Sequence, residues 1–297
     1  MSTPEPDAGA PPLATLTLTP FDLTRKLAAE LAAGEVRLPS FPDVAARVQQ
    51  VLEDERASAA QIAKVLGADA ALAARVLRIA NSAAFNPSGA AVNDLPTAVS
   101  RLGHELVRTA AISFAMRQVR LIDAASELRP QLQELWRKGA LVAAIGYVVA
   151  RETRAARPDE ALVAGLMHNL GRLYLLLRAH GLSAEVADQG LWDQVLHDWH
   201  PRVGRVILAH WKFPEHIVAA IAEQNAWDGP VAPGSRLTDV LVVATSLVPC
   251  VYCRELLPDT TASVAPFLRL GLSAADCNRL LVATASQITG LRDALAA

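Results

Sequence analysis

Apolar residues recur along most of this chain at intervals of three and four, the spacing that gathers them on one face of an α-helix. Val44, Val48, Val51 and Leu52 share one such face, Ile62, Val65 and Leu66 the next, and Leu72, Val76, Leu77 and Ile79 a third. Polar residues and glycines mark the ends. Ser58 with Gln61 three positions on has the form of a capping box, Asp69 that of an N-cap, and Gly67 stops the helix between them. After a loop over residues 85–95, helices are expected at 96–102 and 104–119, split at Gly103. Further helices are expected at about 128–154, 158–180, 182–189, 194–211, 214–225, 235–253 and 274–295. A short helix from Pro20 to about Ala33 precedes them, and Leu38-Pro39-Ser40-Phe41-Pro42 reads as an extended, proline-stiffened lead-in. Nowhere does the two-residue alternation of a strand run beyond a few residues. The pattern therefore predicts an all-α protein.

Composition agrees with the pattern. Of 297 residues, 52% are apolar and 20% charged, with alanine and leucine abundant, so a sizeable helical core is available. Residues 1–19, rich in Pro, Ala and Thr, read as a tail. The remainder divides into a smaller N-terminal helical subdomain (20–123) and a larger helical bundle (124–297). No Pro/Gly/Ser-rich linker separates the two, so one cooperative unit is expected.

A net charge of −2 exerts no general pull on nucleic acid or anionic lipid. The most apolar runs, 139–150 and 240–253, fall short of the roughly 20 residues that span a bilayer. The first residues, MSTPEPDAGAPP, carry acids and prolines where a signal peptide needs bases and an apolar stretch. A cytoplasmic location without a membrane partner is expected. Cys250 and Cys253 have CxxC spacing, but no second pair accompanies them, and all three cysteines are expected as buried, reduced core thiols.

Two stretches hold candidate chemistry. Residues 61–81 have the outline of a helix-turn-helix with Gly67 in the turn, but its second helix offers only Arg75, Arg78 and Asn81 as long polar side chains. An ordinary helix hairpin explains it better, and nucleic acid is not an expected partner. The other stretch is His168-Asn169, a polar pair inside an apolar run between Gly165 and Gly171. Such a pair is costly unless hydrogen-bonded or bound to something, and the two glycines permit close approach of neighbouring helices.

Several segments, in order, resemble the HDOD domain, an HD-related output domain of bacterial signalling proteins within the HD superfamily of metal-dependent phosphohydrolases. They are Leu38–Pro42, Gly67-Ala68-Asp69-Ala70-Ala71-Leu72, Arg78-Ile79-Ala80-Asn81-Ser82, the Leu95–Gly103 stretch ending Arg101-Leu102-Gly103, and Gly165-Leu166-Met167-His168-Asn169-Leu170-Gly171. His200-Pro201-Arg202-Val203-Gly204 and Trp211-Lys212-Phe213-Pro214-Glu215 follow. The resemblance runs from about Leu38 to Asn225 and implies an HD-like multi-helix bundle. In the enzymes, an earlier His, a His-Asp doublet and a later Asp hold the metal, which activates water and neutralises phosphate charge. Here Lys138 stands where the first His often lies, Asn169 replaces the doublet's carboxylate, and no acid stands near Val243-Ala244-Thr245. His168 and His200 remain. The resemblance therefore implies a degenerate site with no metal, no cofactor and no catalytic residue. It implies a regulatory module acting through contacts with other signalling proteins. Lys138, His168, Asn169, His200 and Gln224 are the candidate lining of a vestigial pocket for a small anionic, nucleotide-like ligand. The alternatives are a divergent metal-dependent phosphohydrolase of nucleotides or phosphoesters, and a helix-turn-helix DNA-binding regulator.

Overall fold

A computed structural model describes residues 43–296 except 53, 55, 124–128, 180–188, 226–235 and 254, together with residues 25, 29 and 30. The tail at 1–19, the lead-in at 38–42, the helix expected at 182–189 up to residue 188, and most of that at 20–33 lie outside the described residues. Residues 25, 29 and 30 are helical.

Helices α1 (Asp43–Leu52), α2 (Ala59–Leu66) and α3 (Ala70–Ala80) follow the apolar spacing, and α2 and α3 begin at the expected caps. The Ser58 hydroxyl accepts from the Gln61 amide at 3.3 Å, while the Gln61 side chain accepts from the Ser58 amide at 2.8 Å. Asp69 accepts from the amides of Ala71 and Leu72 at 2.9 and 3.0 Å. Each bond satisfies a helix-start donor that has no partner inside the helix. Past α3, Asn81 clamps the loop by accepting from the Val92 amide and donating to the Val92 carbonyl, both at 2.8 Å. Asp94 then caps α4 (Leu95–Asp123) by accepting from the Thr97 amide at 2.8 Å. Gly103 interrupts α4 with φ 75° and ψ 169°, a backbone angle that L side chains avoid, so the split expected there is present as a kink. The first three helices pack on α4 through Val48, Ile62, Leu66, Val76 and Val107.

The centre of the molecule is α5 (Arg129–Thr153), apolar on every side from Gly139 to Gly146 and buried throughout that stretch. Packed around it are α6 (Pro158–Met167), α10 (Leu237–Ser246) and α15 (Ala285–Ala296). α7 (Leu170–Ala179) lies against α8 (Gln189–His210), which forms a hairpin with α9 (Glu215–Ala222). The C-terminal part adds α11 (Val248–Cys253), α12 (Asp259–Ala262), α13 (Ala265–Leu270) and α14 (Ala274–Ala283). Among the described residues there is no strand, so the expected all-α bundle is the fold.

Three helices expected as continuous are broken. The one at 158–180 stops at Met167 and resumes at Leu170. That at 235–253 breaks at Leu247, because Pro249 has no amide to continue the ladder. That at 274–295 breaks at Thr284, whose hydroxyl donates back to the Leu280 carbonyl at 2.7 Å. The short helices α12 and α13 lie outside the expected set. The cysteines also differ from expectation, since Cys277 is buried but Cys250 is only half-buried and Cys253 is exposed. Burial pushes the Cys277 thiol up to about 11, where it stays protonated. No helix of the described residues is long and apolar enough to cross a membrane.

Candidate functional site

The turn between α6 and α7 is built on two glycines that cannot be replaced without moving a helix. A Cβ on Gly165 would lie 2.5 Å from the Ala143 Cα of α5, and one on Gly171 only 1.9 Å from the His200 carbonyl oxygen of α8. These contacts seat the two polar residues of the turn against the neighbouring helices. His168 is buried, and its Nδ1 lies 2.6 Å from the Gly165 carbonyl. A carbonyl can only accept, so Nδ1 carries the proton and Nε2 keeps its lone pair.

His200 repeats the arrangement, by way of its neighbour. Pro201 lies inside α8 and has no amide, so the His197 carbonyl four residues earlier loses its helical donor. That carbonyl is met instead by His200 Nδ1 at 2.9 Å and by the Asn225 side-chain amide at 2.7 Å. His200 Nδ1 is also 2.8 Å from the Leu196 carbonyl. The His-Pro pair is thus a local device: the proline vacates an acceptor and the histidine is oriented by it. Gln224 completes the buried group by donating to the His168 carbonyl at 3.1 Å and the Ile221 carbonyl at 2.9 Å.

Of the five residues expected to line one pocket, the structure brings together His168, His200 and Gln224. Asn169 lies beside them in sequence but lines a small crevice of about 30 Å³ with Leu132, Leu135, Trp136, Leu166 and Met167. Lys138 is not part of the group. Its side chain is 49% exposed, with the ammonium 3.9 Å from Glu134 one turn back on α5. One residue that the sequence does not single out joins the site. Arg172 follows the critical Gly171, and its positive charge acts on both imidazoles. Its Nε is buried without a hydrogen-bond partner among the described residues. Burial lowers the arginine's own proton affinity, partly offset by the Asp193 carboxylate.

The donor set does not fit the divalent metal of the HD enzymes. Two imidazole Nε2 lone pairs are on offer, but Asn169 is neutral and the charge acting on both rings is a guanidinium. Asp239, the acid on α10 closest in sequence to the position where such enzymes keep their last carboxylate, is fully buried and committed elsewhere. Arg269 of α13 donates to both its oxygens, through Nε at 3.0 Å to each. Among the described residues, no three His, Cys, Asp or Glu side chains form a group that could hold a metal ion.

The cluster is expected to make stability depend on pH. Burial is the main cause holding His168 down to about 4, with smaller contributions from His200 and Arg172. Burial likewise holds His200 down to about 4. In the unfolded chain both titrate near 6.5. A depressed native value means the contribution is complete above about pH 6.5 and is lost as pH falls toward about 4, because the unfolded chain takes up protons the native one refuses. Two such groups give a slope of roughly 2–3 kcal/mol per pH unit in that window. Urea unfolding across the window should show this slope reduced in a His168→Gln/His200→Gln variant. Equal slopes in the two proteins would refute the account.

On α3 the helix-turn-helix outline loses one of its three candidate contacts. Arg75 is 0% exposed; it donates through Nη2 to the Leu295 carbonyl and stacks 5.9 Å over the Trp136 ring. Asn81 is exposed but occupied by its loop clamp, so of the three side chains only Arg78 is both exposed and uncommitted.

The geometry has clear relatives. Residues 38–227 match the family model of the HDOD domain, more than half of the chain. An uncharacterized protein of Treponema pallidum (strain Nichols) is 25% identical over 208 residues, 67% of this chain. This chain spans only 39% of that relative's length. A crystal structure from Shewanella amazonensis SB2B, of a protein that carries the name of a metal-dependent phosphohydrolase, superposes with a TM-score of 0.77 at 24% identity. It covers 93% of this chain and 99% of its own. An HDOD domain protein from Geobacter sulfurreducens gives 0.65 at 22% identity, covering 93% and 98%. These likenesses establish the fold, and the family match, over the same stretch that holds His168, His200 and Gln224, establishes the kinship: the chain belongs to the HDOD family.

Proposed function

We propose that this chain is a regulatory module of the HDOD kind that works through contacts with other signalling proteins and does not carry out metal-dependent hydrolysis. The observation that carries this reading is the charge of the relic site. Where an HD enzyme needs carboxylates beside its histidines, this chain has Asn169, an Asp239 closed by Arg269, and the added positive charge of Arg172. Such a site repels a cation and favours an anion, which supports a small anionic ligand over a metal. The helices of 20–123 and the bundle of 124–297 are proposed to respond as one body, a reading supported by the bond from Arg75 on α3 to the last turn of α15.

Metal analysis of the purified chain, paired with turnover of a nucleotide phosphodiester in manganese or magnesium, tests the reading. The expected result is no stoichiometric transition metal and no turnover above that of a His168→Ala variant. One metal per chain that is lost together with turnover in His168→Ala would make the chain a hydrolase and end the proposal.

A further inference from the structure

The hairpin of α8 and α9 leaves an open groove of about 960 Å³ on the surface, outside the histidine cluster. Its floor is small and apolar, with Val206 from α8 and Ala219 and Ala222 from α9. Its two walls carry opposite charge: Arg202 and Arg205 stand on α8, Glu215 and Glu223 on α9 and at its end. All four are exposed. Among the described residues, none of Arg205, Glu215 and Glu223 makes an ion pair or side-chain hydrogen bond, and Arg202 only stacks 5.6 Å over Trp199.

Four unneutralised charges sorted by sign onto two adjacent helices form a surface complementary to itself. We infer that this groove is a two-fold interface between copies of this chain, in which α8 of one protomer lies over α9 of its partner. Arginines then meet glutamates on both sides of the axis, as an isologous contact requires, where each patch must pair with its own image. The other two-fold arrangement, α8 over α8, sets arginine against arginine and is disfavoured by like-charge repulsion. The alanines in the floor let the helices approach closely, and the charged rim sets their register. A helix from an unrelated protein would have no reason to reproduce both signs in this order. A second copy does so by construction. The inference is independent of whether the histidine cluster binds a ligand.

Sedimentation velocity on the full chain over a wide concentration range tests it. The native protein is expected to dimerise. An Arg202→Glu/Arg205→Glu variant and a Glu215→Arg/Glu223→Arg variant should each weaken the dimer by roughly a hundredfold, because every rim contact becomes a like-charge one. Mixing the two variants should restore a one-to-one dimer, since opposite charges then face each other again. Circular dichroism keeps the test interpretable, as these exposed side chains lie outside the core and helix content should not change. A native chain that stays monomeric at all concentrations overturns the inference. So does a dimer indifferent to both charge reversals, or variants that fail to recombine.

Discussion

Gly171→Ala is expected to destabilise the chain by about 3 kcal/mol or more, a large fraction of the ~5–15 kcal/mol that holds a typical domain folded. The new methyl would sit 1.9 Å from the His200 carbonyl oxygen and 2.8 Å from the Gly204 amide nitrogen. Both obstacles are backbone, so no side-chain rotation relieves them, and α7 and α8 must part. Separation would carry His168 away from His200 and admit water to the buried imidazoles. Gly139→Ala provides the control. Its methyl would meet the Leu166 carbonyl at 3.6 Å, an ordinary contact, and within a helix alanine is favoured over glycine by roughly 0.5–1 kcal/mol. Thermal unfolding of the two variants should therefore move in opposite directions. If Gly171→Ala melts with the native protein, the close approach of α7 and α8 is not what holds the site.

Arg75→Ala should cost about 3–5 kcal/mol, an effect unusual for an arginine. The side chain is fully buried, so truncation leaves a cavity beside Trp136. It also strips a donor from the Leu295 carbonyl, at the end of α15 where helix carbonyls lack partners and a positive charge is favoured. Arg75→Met separates the two causes. Methionine refills most of the volume but cannot donate, so it should recover the packing share and keep a deficit of about 1–3 kcal/mol for the orphaned carbonyl. Denaturant unfolding of both variants measures this. An alanine variant within about 0.5 kcal/mol of native, as for a surface substitution, would refute the role assigned to Arg75.

What the amino-acid order discloses and what it withholds divide along physical lines. Caps and kinks that depend on neighbouring residues are legible: the Ser58–Gln61 box, the Asp69 cap and the Gly103 break all stand where local chemistry places them. The burial of His168 is legible too, since apolar residues surround it on every face of the helix and glycines on both sides draw the neighbouring helices in. Hidden are the arrangements fixed by partners distant in sequence. Lys138 aligns by motif with a neighbour of the histidines, yet the rotation of α5 turns it outward to Glu134. Arg172 looks like a solvated residue after a glycine, and only the packing of α7 on α8 draws it toward the imidazoles. Arg75 has the look of a contact to nucleic acid, because nothing nearby in sequence announces the carbonyl that receives it. Asp239 and Arg269 are 30 residues apart, and neither signals the other.

The bond between Arg75 and Leu295 joins residues 220 positions apart, which bears on the order in which the molecule is assembled. At ribosomal speeds the interval between synthesising its two ends is roughly ten to forty seconds, long compared with the folding of a helix hairpin. Throughout that time α3 is complete and can pack on α4, but the part of its inner face that meets α15 stays uncovered. A methionine or leucine at position 75 would leave that face uniformly greasy and open to the wrong chain. A guanidinium there favours hydration of the uncovered patch until α15 supplies the Leu295 carbonyl that accepts from it. Arg75 is therefore expected to guard the nascent chain as well as to lock the finished one.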